Sequence, residues 1–139
     1  MSALRIIAFI DGASLGNPGP AGVGILLLDS ADGAEILRIS IPIGNCTNNI
    51  AEYTALLEAL KKAKELNAEQ IEIRSDSQLL VRQMNGEYKI KNSAIAKLAV
   101  KAYQLLASFK SYRFVHIGRE HNGVADHLAF LAASASTTE

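Results

Sequence analysis

The residues predict an α/β domain on a mixed sheet, antiparallel at first and parallel later, with helices covering it. Three observations carry this reading: three apolar strand-like runs in succession, a change at Asn49 to apolar spacing of threes and fours, and helix–strand alternation from there onward. The order reads βββαβααβα.

Leu4 to Ile10 and Ala21 to Leu28 are apolar runs separated by the glycine- and proline-rich Gly12 to Pro20, and Ile36 to Ile43 follows the turn-like Asp29 to Gly33. Connections this short favour an antiparallel meander. From Asn49 to about Leu66, the residues Ile50, Tyr53, Leu56, Leu57 and Leu60 recur at helical spacing. Ile71 to Arg74 is a short strand. Ser77 to Met84 reads as a helix stopped near Gly86, Ser93 to Phe109 as a longer one, Tyr112 to Ile117 as a strand and Val124 to Ala135 as the last helix.

A chain of 139 residues with 49% hydrophobic content buries one ordinary core, so residues 1–139 are expected to form a single domain. The apolar stretch Ile6 to Ile10 is far too short for a signal peptide or a membrane span, and the expectation is a cytoplasmic monomer with no membrane partner. Cys46 has no second cysteine to pair with, which excludes an internal disulfide and thiolate-rich metal sites.

Net charge is zero, but the charges are segregated. Residues 1–81 hold ten acids against six bases, residues 82–119 hold eight bases against Glu87 alone, and the remainder carries three acids. The basic stretch contains Arg82, Lys89, Lys91, Lys97, Lys101, Lys110, Arg113 and Arg119, a footprint suited to phosphates or, equally, a solvated helix face.

Four carboxylates stand where a carboxylate is awkward. Asp11 ends the first strand-like run and opens the segment Gly12 to Pro20, which lacks both the lysine of a P-loop and dinucleotide-fold glycine spacing. Glu52, advancing about 100° per residue, falls with Leu56, Ala59 and Ala63, opposite Glu58, Lys61, Lys62 and Glu65, although Asn49 and Glu52 also fit a capping box. Asp76, within Ser75-Asp76-Ser77, follows a short strand and precedes a helix that it could cap. Asp126 and His127 are the only polar side chains in the last helix before Ala133. Gathering several anions is costly without a cation, and an all-oxygen donor set selects magnesium or manganese over zinc. Such a set suits phosphoryl transfer with two ions. A glycosidase-like carboxylate pair would leave the other acids and the basic segment unexplained.

Four segments, Asp11-Gly12-Ala13-Ser14-Leu15-Gly16-Asn17-Pro18-Gly19-Pro20, Thr47-Asn48-Asn49-Ile50-Ala51-Glu52, Ser75-Asp76-Ser77-Gln78 and Arg119-Glu120-His121-Asn122-Gly123-Val124-Ala125-Asp126, resemble in order the motifs of type 1 ribonuclease H. The resemblance spans nearly the whole chain. It implies a ribonuclease H-like fold, a five-stranded mixed sheet flanked by helices, and metal-dependent endonucleolytic cleavage of the RNA strand of RNA/DNA hybrids, leaving 5′-phosphate and 3′-hydroxyl ends. It implies Asp11, Glu52, Asp76 and Asp126 as catalytic ligands of two Mg²⁺ or Mn²⁺ ions, and Gly12, Ser14, Asn17, Asn48, Asn49, Gln78 and Arg119 as substrate-binding. Amides that both donate and accept suit the 2′-hydroxyls that distinguish RNA from DNA.

The chain departs from many bacterial members in two ways. No Trp-bearing basic protrusion fits within Asn85 to Asn92, as in the compact archaeal and plant-like form, and Lys89 and Lys91 stand nearest to that role. The loop before the last Asp is shortened to Gly118 to Asn122, which leaves His121 as the candidate for the mobile catalytic histidine, while His116 alternates with Phe114 and Tyr112 as a structural residue. Two other functions stay open: a broader nuclease that also cuts double-stranded RNA, and a hybrid-binding module without catalysis.

Overall fold

A computed structural model describes residues 3–136. Five strands, β1 (Arg5–Ser14), β2 (Gly19–Asp29), β3 (Glu35–Cys46), β4 (Gln70–Ser75) and β5 (Ser111–His116), form one sheet in the order β3-β2-β1-β4-β5. The first three pair antiparallel, and β1 with β4 and β4 with β5 pair parallel. The helices are α1 (Asn48–Glu65), α2 (Gln78–Met84), α3 (Ser93–Leu106) and α4 (Gly123–Ala135), with a 3₁₀ turn at Arg119–His121. This is the expected mixed α/β architecture.

The elements differ from the sequence reading chiefly at their ends. The apolar run of β1 stops at Ile10, yet the strand continues through Asp11, Gly12, Ala13 and Ser14, which pair with Gly24 to Ala21. The loop expected over Gly12 to Pro20 is therefore a short turn after Ser14, closed by Leu15 N–H donating to the Pro20 carbonyl at 2.8 Å. Helix α3 ends at Leu106, short of Phe109, which is nonetheless buried.

Neighbouring residues of a strand face opposite sides of the sheet, and this places the helices. Ile6, Ala8 and Ile10 of β1 and Ile71 and Ile73 of β4 bury against Leu56 and Leu60 of α1, with α3 packed behind. On the other side α4 lies against β1, β2 and β3. Its close seat needs residues without side chains: a Cβ on Gly24 would overlap the Ala125 carbonyl, and one on Gly22 the Ala133 nitrogen. The alanines of α4, Ala125, Ala129, Ala132 and Ala133, fill that seat, so the helix is apolar because it packs tightly, while Phe130 and Leu131 stay about half exposed.

The basic segment does not form one surface. Lys110 pairs with Glu69 at 3.3 Å, Arg113 with Glu72 at 3.1 Å, and Arg82 lies over the Tyr88 ring. Lys97 and Lys101 are exposed on α3. Among the described residues no helix is long and apolar enough to cross a membrane.

Candidate active site

Register brings the first two acids together. β1 and β4 pair as far as Ile10 opposite Ser75, so Asp11 and Asp76 are the next residues on adjacent parallel strands. Because β4 ends there, Asp11 is paired only on its other side, with Gly24 of β2. Glu52 of α1 reaches it past Gly12, where a Cβ would overlap the backbone of Ala51 and Glu52. One carboxylate oxygen from each of Asp11, Glu52 and Asp76 lies within 4.8 Å of the other two. Asp11 and Glu52 are each 5% exposed, whereas Asp76 is half-buried.

Neither acid near a helix start is spent on capping. Thr47, not Asn49, caps α1, its hydroxyl accepting from Ile50 N–H at 3.3 Å, and Ser77 caps α2 through Leu80 N–H at 3.2 Å. The capping-box account of Glu52 and the capping account of Asp76 are both displaced. Asp126 stands in the first turn of α4 and is exposed; it joins the group by lining the same cleft as Asp11.

The electrostatics follow from this crowding. Burial, then the charge of Asp76, then the hydrogen bond and charge of Asp126 push Asp11 up to about 8, with Arg119 opposing. Glu52 is raised well above the usual carboxylate range by burial first and then by Asp11 and Asp76, with the Gly12 N–H opposing. Its Oε2 is buried without a hydrogen-bond partner. Hard oxygens, converging charge and an orphaned acceptor fit a hard divalent cation, which would relieve all three.

These acids line a cleft of about 510 Å³ with Gly12, Ala13, Ser14, Asn48, Ser77, Arg119 and Phe130. Of the sequence-predicted binding residues, Gly12, Ser14, Asn48 and Arg119 thus reach the cleft. Asn17, Asn49 and Gln78 lie outside its lining, although Asn17 Oδ1 accepts from Asn48 N–H at 2.9 Å.

His121 stands apart from this cleft. Its side chain is 73% exposed, lies 3.7 Å from Glu120, and borders a separate groove with Phe9, Leu26 and Leu28. The 3₁₀ turn explains this: it aims Arg119 into the acidic cleft and turns His121, two residues on, away. His116 is likewise exposed, not packed. Sequence reasoning missed Phe130, although its place four residues after Asp126 on a helix puts both on one face.

A sheet of this order with carboxylates from β1, α1 and β4 converging at one end defines a ribonuclease H-like protein with an acidic, cation-adapted centre. Proteins of similar sequence and structure agree with this. The family described as "Reverse transcriptase-like" matches residues 9–132. Ribonuclease HI of Halobacterium salinarum is 42% identical over 125 residues, covering 90% of this chain and 62% of that protein. The bifunctional protein Rv2228c of Mycobacterium tuberculosis is 36% identical over 126 residues, covering 91% of this chain but only 35% of that protein. The N-terminal RNase H domain of Rv2228c, solved as a fusion with maltose-binding protein, superposes with a TM-score of 0.94 at 34% identity, covering 98% of each chain. LC11-RNase H1, solved in complex with RNA/DNA hybrid, does so with a TM-score of 0.89 at 37% identity, covering 95% of this chain and 99% of its own. The chain belongs to the type 1 ribonuclease H family.

Proposed function

We propose that the protein is an endoribonuclease that hydrolyses the RNA strand of RNA/DNA hybrids, acting as a monomeric single domain. The observation that carries this is the meeting of Asp11, Glu52 and Asp76 oxygens within 4.8 Å. The hybrid bound to LC11-RNase H1 supports the choice of substrate.

Asp11, Glu52, Asp76 and Asp126 would hold two Mg²⁺ or Mn²⁺ ions, which when bound promote deprotonation of the attacking water and neutralise charge on the departing oxygen. Water adds to phosphorus as the bond to the 3′ oxygen breaks, and that oxygen takes a proton to become the 3′-hydroxyl while the phosphate stays on the 5′ side. Arg119, facing the same cleft, offsets the negative charge of the acids and suits the incoming phosphate. We assign no proton transfer to His121, which borders another groove.

Labelled hybrid incubated with the protein and Mg²⁺ or Mn²⁺ is expected to yield RNA fragments with 5′-phosphate ends. Intact RNA with both metals would refute the assignment. A second reading, cleavage of RNA/RNA as well, is favoured by one observation: only the short segment between α2 and α3 stands where a protrusion would help select the substrate. The ratio of rates on RNA/RNA and hybrid decides it.

Asn17 offers a sharper test of substrate contact. Its Oδ1 is committed to Asn48 N–H, so only its amide hydrogens remain for the hybrid. Asn17→Asp keeps that acceptor, loses the donor and adds charge facing a polyanion. Hybrid affinity by fluorescence anisotropy is expected to fall about tenfold, near 1.4 kcal/mol, with the melting temperature unchanged. Parent affinity in the variant would remove Asn17 from the contact surface.

A further inference from the structure

Asn122 is buried to 1% exposure at the start of α4, the place where an Asn ordinarily caps the helix, yet its side chain makes no cap hydrogen bond. It reaches across the fold instead. Its Nδ2 donates to the Ile10 carbonyl at 2.9 Å, linking residues 112 apart in sequence. Its Oδ1 is buried without a partner, a cost accepted nowhere else among the described residues except at Glu52 in the acidic cluster. Ile10 directly precedes Asp11. The backbone of Asn122 completes the link, its N–H donating to the Arg119 carbonyl at 3.0 Å and its carbonyl accepting from Asp126 N–H at 3.0 Å. One residue therefore joins the strand carrying Asp11 to the turn carrying Arg119 and the helix carrying Asp126.

We infer that Asn122 is a positioning residue, whose carboxamide sets the span between the Asp11 and Asp126 carboxylates by clamping the start of α4 to β1. This rests on reading the cleft as a metal-dependent nuclease site. Asp11 sits on a central strand paired on both sides, whereas Asp126 rides on a helix seated on glycines. Apolar seating resists separation but resists sliding poorly; Ser40 Oγ donating to the Leu128 carbonyl at 2.7 Å ties the middle of α4, Ser136 Oγ donating to the Ala21 carbonyl at 2.8 Å ties its far end, and the Asn122 clamp is the directed bond at the end that carries Asp126. A slide of about 1 Å suffices to cost a hundredfold in rate where geometry is demanding.

Asn122→Ser separates the clamp from the helix start, since Ser caps α4 locally but is too short to reach Ile10. The expected result is a fall in kcat of about a hundredfold with little change in KM for hybrid, persisting well below the melting temperature of the variant. Mn²⁺ titration followed by amide line broadening gives a readout independent of cleavage. In the parent, Asp11 and Asp126 amides broaden together; in the variant, Asp126 is expected to lag. Parent kcat with joint broadening in the folded variant overturns the inference. So does activity that recovers in step with the folded fraction on cooling, which marks a purely structural residue. If the parent fails to cut hybrid but the variant loses joint broadening, the nuclease reading fails and the positioning role stands. No broadening at either site in the parent overturns the positioning role.

Discussion

Asp11→Asn is expected to reduce hybrid cleavage by about a thousandfold or more, some 4 kcal/mol of transition-state stabilisation, while raising the melting temperature of the metal-free protein. Both effects come from one carboxylate. Asp11 is a proposed metal ligand, and an amide donates less charge to a cation than a carboxylate does. The same group is held near 8 against an ordinary 3.8, so ionising it costs the folded state more than the unfolded chain. The sign is fixed by that direction. Well below pH 3.8 Asp11 is neutral in both states and contributes nothing; from there up to about 8 the unfolded chain ionises while the folded state resists, and stability is lost across that window. The variant escapes this loss, so its advantage should be small at pH 4, grow through neutrality and level off above about pH 8. The rise of this carboxyl from 3.8 to about 8 caps the gain at about 6 kcal/mol, and each kcal/mol is worth roughly 3 °C at this chain length. Mg²⁺ or Mn²⁺ should narrow the gap by stabilising the parent alone. Thermal melts from pH 4 to 9, with and without metal, check this; a variant less stable than the parent at pH 8 would show that the acids do not repel.

Gly12→Ala is expected to be strongly damaging to both stability and cleavage. An added Cβ would overlap the Ala51 carbon and the Glu52 nitrogen, backbone atoms that cannot rotate away. Helix α1 would have to lift from β1, opening the contacts of Leu56 and Leu60 with the sheet and carrying Glu52 away from Asp11. Overpacking a well-filled core costs about 1–3 kcal/mol, and backbone displacement belongs at or above that upper end. The melting temperature should fall by roughly 10 °C, with cleavage nearly lost even in the folded fraction. Gly33→Ala is the useful contrast: no atom lies within 4 Å of its Cβ, so only its positive φ of 74° opposes the change, and cleavage should persist. A Gly12→Ala protein with parent stability and activity would mean that α1 is not seated as described.

The features legible in the sequence are those set by periodicity. Side-chain direction advances regularly along α1, which puts Glu52 on the inner side of its helix, and it is buried. The neighbouring of Asp11 and Asp76 follows from strand order, since both close apolar runs that pair in parallel. What escapes such a reading is set by distant parts of the chain. Gly12, Ala13 and Ser14 look like turn residues, and only their pairing with β2 and the approach of α1 keep them extended. Thr47, Asn48 and Asn49 are all able to cap; the Asn17 side chain, 31 residues away, takes the Asn48 N–H and leaves Thr47 as the cap. The phase of the Arg119–His121 turn decides which of the two faces the acids, and no local pattern reveals it.

Because β1 and β4 are parallel neighbours, the chain between them must cross over through α1 before either acid finds its mate. Long-range pairing of this kind comes late in folding, after local helices and hairpins have formed. A nascent or half-collapsed polypeptide therefore carries every acid of the cleft and none of its cutting power. Competence for the proposed cleavage is therefore a property of the finished topology.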